Sequence, residues 1–192
     1  MKTRPRISNT RDRLERAAIH LFVKKGVRET SVRDLAKAVD ITEGALYRHF
    51  PSKDELVWRV FEHHYVAFAH RLQALADEAT STRAKLGQMI RGFCQAHDED
   101  PMLFRFLLFV QHGQLPKLAP GTLTPVDVIR HVLETAIATG EIPRQHPALA
   151  TALIFGVVLE PAQFAAYGQI PFNMGAMCDR LIAAAWAAVT TV

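Results

Sequence analysis

Between Thr30 and Glu55 the chain reads TSVRDLAKAVDITEGALYRHFPSKDE, an order of caps, apolar positions and breakers that few folds accommodate. Ser31 and Asp34 stand three apart, so each side chain can close the other's free backbone amide at a helix start. Leu35, Ala36 and Val39 then share one face at helical period. The pattern stops at Asp40, and Ile41 points inward. Thr42 offers a hydroxyl cap to a second helix, TEGALYRHF, whose Leu46 and Phe50 lie one turn apart. Pro51 closes it. Ser52 and Glu55 form another capping pair, opening a long helix. Two short helices joined by a few residues make a helix-turn-helix, and the second can enter a DNA major groove.

With Leu46 and Phe50 turned inward, Thr42, Glu43, Gly44, Ala45, Tyr47, Arg48 and His49 line the other sides of that second helix. Gly44 and Ala45 let the backbone approach bases closely, and Ala45 can touch a thymine methyl. Arg48 can donate to guanine or phosphate; the Tyr47 hydroxyl and the Lys53 ammonium can hold phosphates. A plain helical hairpin with a solvated face shows the same polarity, so the charge distribution matters. Residues 1–59 hold 14 Lys/Arg against 8 Asp/Glu, a net +6, and the remainder holds 9 against 11, a net −2. The basic portion carries the helix-turn-helix, which fits polyanion binding. Lys2, Arg4 and Arg6 form a basic leading segment that can reach phosphates or a minor groove; a plain tail fits them equally.

The run from Ala36 to Leu56, A-x-x-x-D-I-T-E-G-A-L-Y-R-H-F-P-S-K-D-E-L, closely resembles the DNA-binding domain of the TetR family of bacterial transcriptional regulators. The stretch from Leu46 to Phe50, followed by Ser52, Lys53 and Leu56, is its most specific part, and the likeness covers roughly the first third of the chain. Asp40 departs from the pattern, because many relatives have Gly in this turn. A left-handed backbone favours Gly, but Asp tolerates it better than most residues. The resemblance implies that Thr30, Ser31 and Arg33 are placed as phosphate contacts. It implies a DNA-binding domain over 1–55 and a helical regulatory and dimerisation domain over 56–192. It also implies a small-molecule pocket among the later helices, whose filling releases DNA, and dimerisation through the last two helices.

The rest of the chain predicts an all-α fold of about nine helices, with no strand pattern. One of Ser8, Asn9 or Thr10 caps the first helix, Leu14, Ala17, Ala18, Leu21 and Phe22 mark its inner face, and Gly26 ends it. The helix from Ser52 to about Ala79 is long enough to act as a lever between two domains. Pro101 opens MLFRFLLFVQH, apolar nearly all round and so expected to be buried. Thr124 and Asp127 form a further capping box. The last two helices are apolar on more than one face, and a helix cannot leave such surface in water. Leu153, Val157 and Phe164, with Met174, Cys178, Leu181 and Ala185, are the candidates for a two-fold four-helix interface with a second copy. Two recognition helices would then read the half-sites of a palindrome.

Pockets are mostly apolar with a few placed polar groups. Phe61, His64, Tyr65, Phe68, Phe93, His97, Phe104, Phe109 and Phe155 are the candidate lining. Arg105 lies inside a nearly all-apolar helix. It can pair with an anionic ligand, or with Asp98, Glu99 or Asp100, or reach solvent. Cys94 and Cys178 read as two buried free thiols. There is no Gly-rich phosphate loop, nucleophile elbow or helical zinc-protease motif, so no catalytic, metal or cofactor site is expected. No apolar run looks long and uncharged enough to cross a bilayer, Ala183 to Val192 coming nearest, and no signal core precedes the fold. The expectation is a cytoplasmic homodimeric regulator. Its partners would be a double-stranded DNA operator and a hydrophobic or aromatic small molecule, with no membrane.

Overall fold

The computed structural model describes residues 10–171 and 173–191; Lys2, Arg4, Arg6, Ser8 and Asn9 lie outside the described residues. The described residues form nine α-helices and no strand. These are α1 (Thr10–Lys25), α2 (Val32–Ala38), α3 (Glu43–His49), α4 (Lys53–Asp77), α5 (Thr82–Glu99), α6 (Pro101–Gln114), α7 (Pro125–Ala138), α8 (Pro147–Ala166) and α9 (Met174–Thr190). A 3-10 turn at Leu115–Lys117 follows α6. The chain divides into two compact units, one up to His63 together with Phe106–Lys117, the other His64–Arg105 with the residues from Leu118 on.

In the first unit the local signals act as their chemistry dictates. Ser31 and Asp34 close a complete capping box, each bond 3.0 Å. The Thr42 hydroxyl accepts from the Ala45 amide at 3.1 Å. Ser52 caps the Glu55 amide at 3.0 Å, but the Glu55 carboxylate turns to Arg59 at 2.8 Å, so only half of that expected box forms. Leu14, Ala18, Phe22, Leu35, Leu46, Phe50 and Leu56 are buried together, and the Phe22 ring stacks on Phe106 at 6.0 Å. Arg13 donates to the Val39 carbonyl at 2.9 Å and pins the end of α2.

Asp40 has φ of 57°, the left-handed conformation its place in the turn requires. An Ala there lacks the short polar side chain that eases this region. Asp40→Ala is expected to lower stability by about 1 kcal/mol, read from the urea midpoint, while Asp40→Gly should not lower it.

In the second unit α5 and α8 pack on α9, and α7 packs on α5 and α8. Two carboxylates fasten helix starts from afar. Glu141 accepts from the Thr82 amide at 2.8 Å and its hydroxyl at 2.6 Å, fixing the start of α5. Asp98 accepts from the Met174 and Gly175 amides at 3.0 and 2.8 Å, fixing the start of α9. Burial works to raise the Asp98 pKa, but hydrogen bonds from His97, Gly175 and Met174 outweigh it and hold it below the ordinary 3.8. A carboxylate depressed in the folded state contributes stability above its unfolded pKa and loses it as pH falls through the folded value. Asp98→Ala is expected to cost about 1 kcal/mol at neutral pH. The variant should also lose less stability than the parent on acidification below about pH 4, measured by thermal melts across pH.

Two expectations need correction. α6 is not buried all round: Phe104 and Phe106 are buried but Phe109 is exposed, because one chain covers only part of a helix that is apolar on every face. And α8 is long and apolar enough to cross a membrane by length and composition, with a mean hydropathy of 1.6 over an uncharged-enough window. Only 28% of that window is buried within the chain. Ala150, Ile154, Val158 and Ala162 form its inward stripe.

Candidate nucleic-acid interface and aromatic cluster

α3 exists because Thr42 starts it and the buried Leu46 and Phe50 hold one side of it to the core. The opposite side is left to solvent: Thr42, Glu43, Gly44, Tyr47, Arg48 and His49 are exposed, and Ala45 is half-buried. A Cβ built on Gly44 meets no atom within 4 Å, so nothing in the chain requires glycine there. Ser31 and Arg33 are exposed at the start of α2, with the Ser31 hydroxyl engaged in its cap.

Two expected phosphate contacts lie elsewhere. Thr30 is 0% exposed, and its hydroxyl donates to the carbonyls of Gly26 at 2.8 Å and Leu21 at 3.4 Å, so it ties the α1–α2 turn together. The Lys53 ammonium donates to the carbonyls of Val27 at 2.8 Å, Thr30 at 2.9 Å and Arg28 at 3.3 Å. A lysine has three N–H donors. All three are committed to the chain's own backbone, across 23 to 26 residues. No local pattern signals such a contact.

The expected pocket residues divide between the units. Phe68, Phe93 and Phe155 pack edge to face, with ring centroids 4.8 and 5.9 Å apart, and join α4, α5 and α8. His97 packs edge-on against Phe104 at 5.3 Å. Tyr65 is buried, and burial followed by the charge of Asp127 pushes its hydroxyl up to about 12. His64 is half-buried in the same unit. Phe61 belongs to the first unit, fully buried beside Trp58 at 6.3 Å. Phe109 also belongs to the first unit and lines a cavity of 570 Å³ with Phe22, Val27, Phe106 and Val110. Arg105 donates from Nη2 to the Ala166 carbonyl and makes none of the three acidic pairs the sequence suggested.

The two thiols, far apart in sequence, meet where α5 packs on α9. Both are buried, and burial together with a hydrogen bond to Cys178 pushes Cys94 up to about 12. They line a cavity of 380 Å³ with Arg91, Gln95 and Asp98. The sequence placed each thiol in an apolar stripe and gave no sign that the stripes face one another.

Of the expected interface residues, Met174, Cys178, Leu181 and Ala185 point into their own chain's core, and so cannot also face a partner. Leu153 and Phe164 are exposed, at 41% and 48%, and Leu149 and Tyr167 join them at 58% and 56%. Gly156 and the alanines Ala183, Ala184 and Ala187 are exposed as well. Leucine and phenylalanine leave water when a partner is at hand, so this patch on α8 and α9 is the part of the last two helices with surface to offer.

These features define a helix-turn-helix protein with an exposed recognition helix on a basic unit. Residues 15–60 match the family of bacterial regulatory proteins known as the tetR family. The match runs from within α1 to the first two turns of α4 and takes in the whole helix-turn-helix. The chain is 37% identical over 79 residues to the transcriptional repressor KstR2 of Mycolicibacterium smegmatis, a stretch covering 41% of this chain and 38% of that relative's length. It is 28% identical over 177 residues to the transcriptional regulator TtgR of Pseudomonas putida, covering 91% of this chain and 75% of that protein. The fold is shared with the regulator FadR of Bacillus subtilis, solved in complex with stearoyl-CoA, at a TM-score of 0.73 and 17% identity over 94% of this chain and 98% of that one.

Proposed function

We propose that this chain is a homodimeric repressor that binds a palindromic operator and is released by a hydrophobic or aromatic small molecule. The observation that carries the reading is the split of α3. One side is fixed in the core by Leu46 and Phe50, and the other presents Thr42, Glu43, Gly44, Tyr47, Arg48 and His49 from a basic unit. The reading assigns DNA contact to residues 1–55, with Ser31, Arg33, Ala45 and the exposed α3 residues, and regulation and dimerisation to 56–192. Leu153, Val157 and Phe164 are its interface residues. Tyr65, Phe68, Phe93, His97, Phe104 and Phe155 are its effector region, with a cytoplasmic site of action following from the DNA partner. Effector and operator then compete by population shift, limited by the effector's preference between the two states.

Selection of duplexes from a randomised pool at near-physiological salt tests the reading. A palindrome whose half-sites are about one DNA turn apart is the expected result. Weak binding without enrichment, lost steeply as salt rises, would overturn sequence-specific regulation. A second reading, a repressor without effector, is favoured by the way Phe68, Phe93 and Phe155 fill space against one another. Release of the selected duplex by apolar small molecules separates the two.

A further inference from the structure

Arg105 lies near the start of α6, next to the buried Phe104. Its Nη2 donates to the carbonyl of Ala166, the last residue of α8. Its Nε is buried and has no hydrogen-bond partner. The Nε–H and the neighbouring Nη2–H of a guanidinium form one edge of a rigid fork, the edge a carboxylate takes with both oxygens. In this structure one tine of that edge holds a neutral carbonyl and the other holds nothing. A charged group left with a buried unmet donor is costly, and such groups are ordinarily paired.

The acids nearest in sequence are committed elsewhere. Asp98 is held by His97 and by the Met174 and Gly175 amides. Glu99 pairs with Arg71 at 3.0 Å. Asp100 accepts the Leu103 amide at 2.9 Å. Among the described residues no carboxylate forms an ion pair with Arg105. The same unit carries the apolar rings: Phe104 against His97, and the Phe68–Phe93–Phe155 cluster.

We propose that Arg105 is the anion-recognising residue of the effector site, and that the effector is a hydrocarbon or aromatic molecule bearing one carboxylate. The inference rests on the effector reading above. The carboxylate takes the Nε–H that the chain leaves unmet and shares Nη2 with, or takes it from, the Ala166 carbonyl. Effector occupancy is thereby tied to the C-terminal end of α8, the helix that also carries Leu153 and Phe164.

Titration calorimetry on the full chain tests this with two pairs of probes matched in shape: decanoate with decan-1-ol, and 4-phenylbutyrate with 4-phenylbutan-1-ol. At least one carboxylate should bind about ten- to a hundred-fold tighter than its alcohol. Arg105→Gln should bring that carboxylate down to its alcohol's affinity and leave the alcohol unchanged. Arg105→Lys, which keeps the charge but not the fork, should retain part of the preference and serves if the glutamine variant melts early. Equal binding of acid and alcohol by the parent, or a preference that survives in Arg105→Gln, overturns the role of Arg105 and leaves an effector site standing. Binding of none of the four probes overturns the proposed effector class. If the duplex selection still returns a palindrome, the DNA-binding reading is untouched.

Discussion

Replacing Leu153 and Phe164 together by Asp is expected to convert the proposed dimer to a monomer and to lower operator affinity by roughly 10²–10⁴-fold. Both side chains are large, apolar and exposed on α8, with Leu149 on the same helix and Tyr167 just past its end. In the free chain the two aspartates sit in water and cost little, since substitutions outside the core move stability by a few tenths of a kcal/mol. At a two-fold contact both copies carry the change, so four carboxylates are driven into an apolar seam and the like charges oppose association. A monomer carries one recognition helix and must bind each half-site as a separate event, which is the source of the affinity loss. Sedimentation velocity reads the first effect and fluorescence anisotropy on the selected duplex reads the second. A double variant that remains dimeric would show that the copies meet elsewhere. Leu181→Ala is the contrasting control. Leu181 faces its own core, so that change should cost about 2–5 kcal/mol of stability before it alters assembly.

The contrast between those residues shows where sequence reasoning reaches its limit. Period tells which residues of α9 share a face, and Met174, Cys178, Leu181 and Ala185 do share one. It does not tell which of two apolar faces the chain covers itself and which it offers to a partner, because both obey the same hydrophobic rule. Local signals fared better. The caps at Ser31, Thr42 and Thr124, the stop at Gly26 and the left-handed Asp40 depend on neighbours within a few positions, and each is present. The backbone commitments of Lys53, Arg105 and Asp98 are fixed by partners 23 to 77 residues away. Nothing in the intervening spacing encodes them. Chemistry likewise groups Phe61 and Phe109 with Phe68, Phe93 and Phe155, while the fold assigns the first two to a different unit.

Gly44→Ala is expected to raise the stability of the fold and lower its affinity for DNA, an opposition that a structural residue would not produce. Glycine within a helix costs roughly 0.5–1 kcal/mol relative to alanine. The new Cβ meets no atom within 4 Å, so the chain has no steric reason to refuse it. If α3 lies in the major groove with Gly44 against the DNA, the added methyl separates the surfaces there. The loss should be comparable to that of a base contact, roughly 1–3 kcal/mol or ten- to a hundred-fold in affinity. Tyr47→Ala should likewise weaken binding with the melting temperature held, since the ring is exposed. Lys53→Met should behave differently. Its ammonium satisfies three backbone carbonyls between Val27 and Thr30, and removing it strands them. About 1–3 kcal/mol of stability should go with it, and affinity should fall because the α1–α2 turn that positions α3 has loosened. Melting curves and anisotropy titrations on the three variants give three distinct signatures: more stable and weaker, equally stable and weaker, less stable and weaker. Unchanged affinity in both Gly44→Ala and Tyr47→Ala would remove α3's exposed face from the DNA contact. A parent-like melting curve for Lys53→Met would show that its carbonyl contacts do not hold the turn.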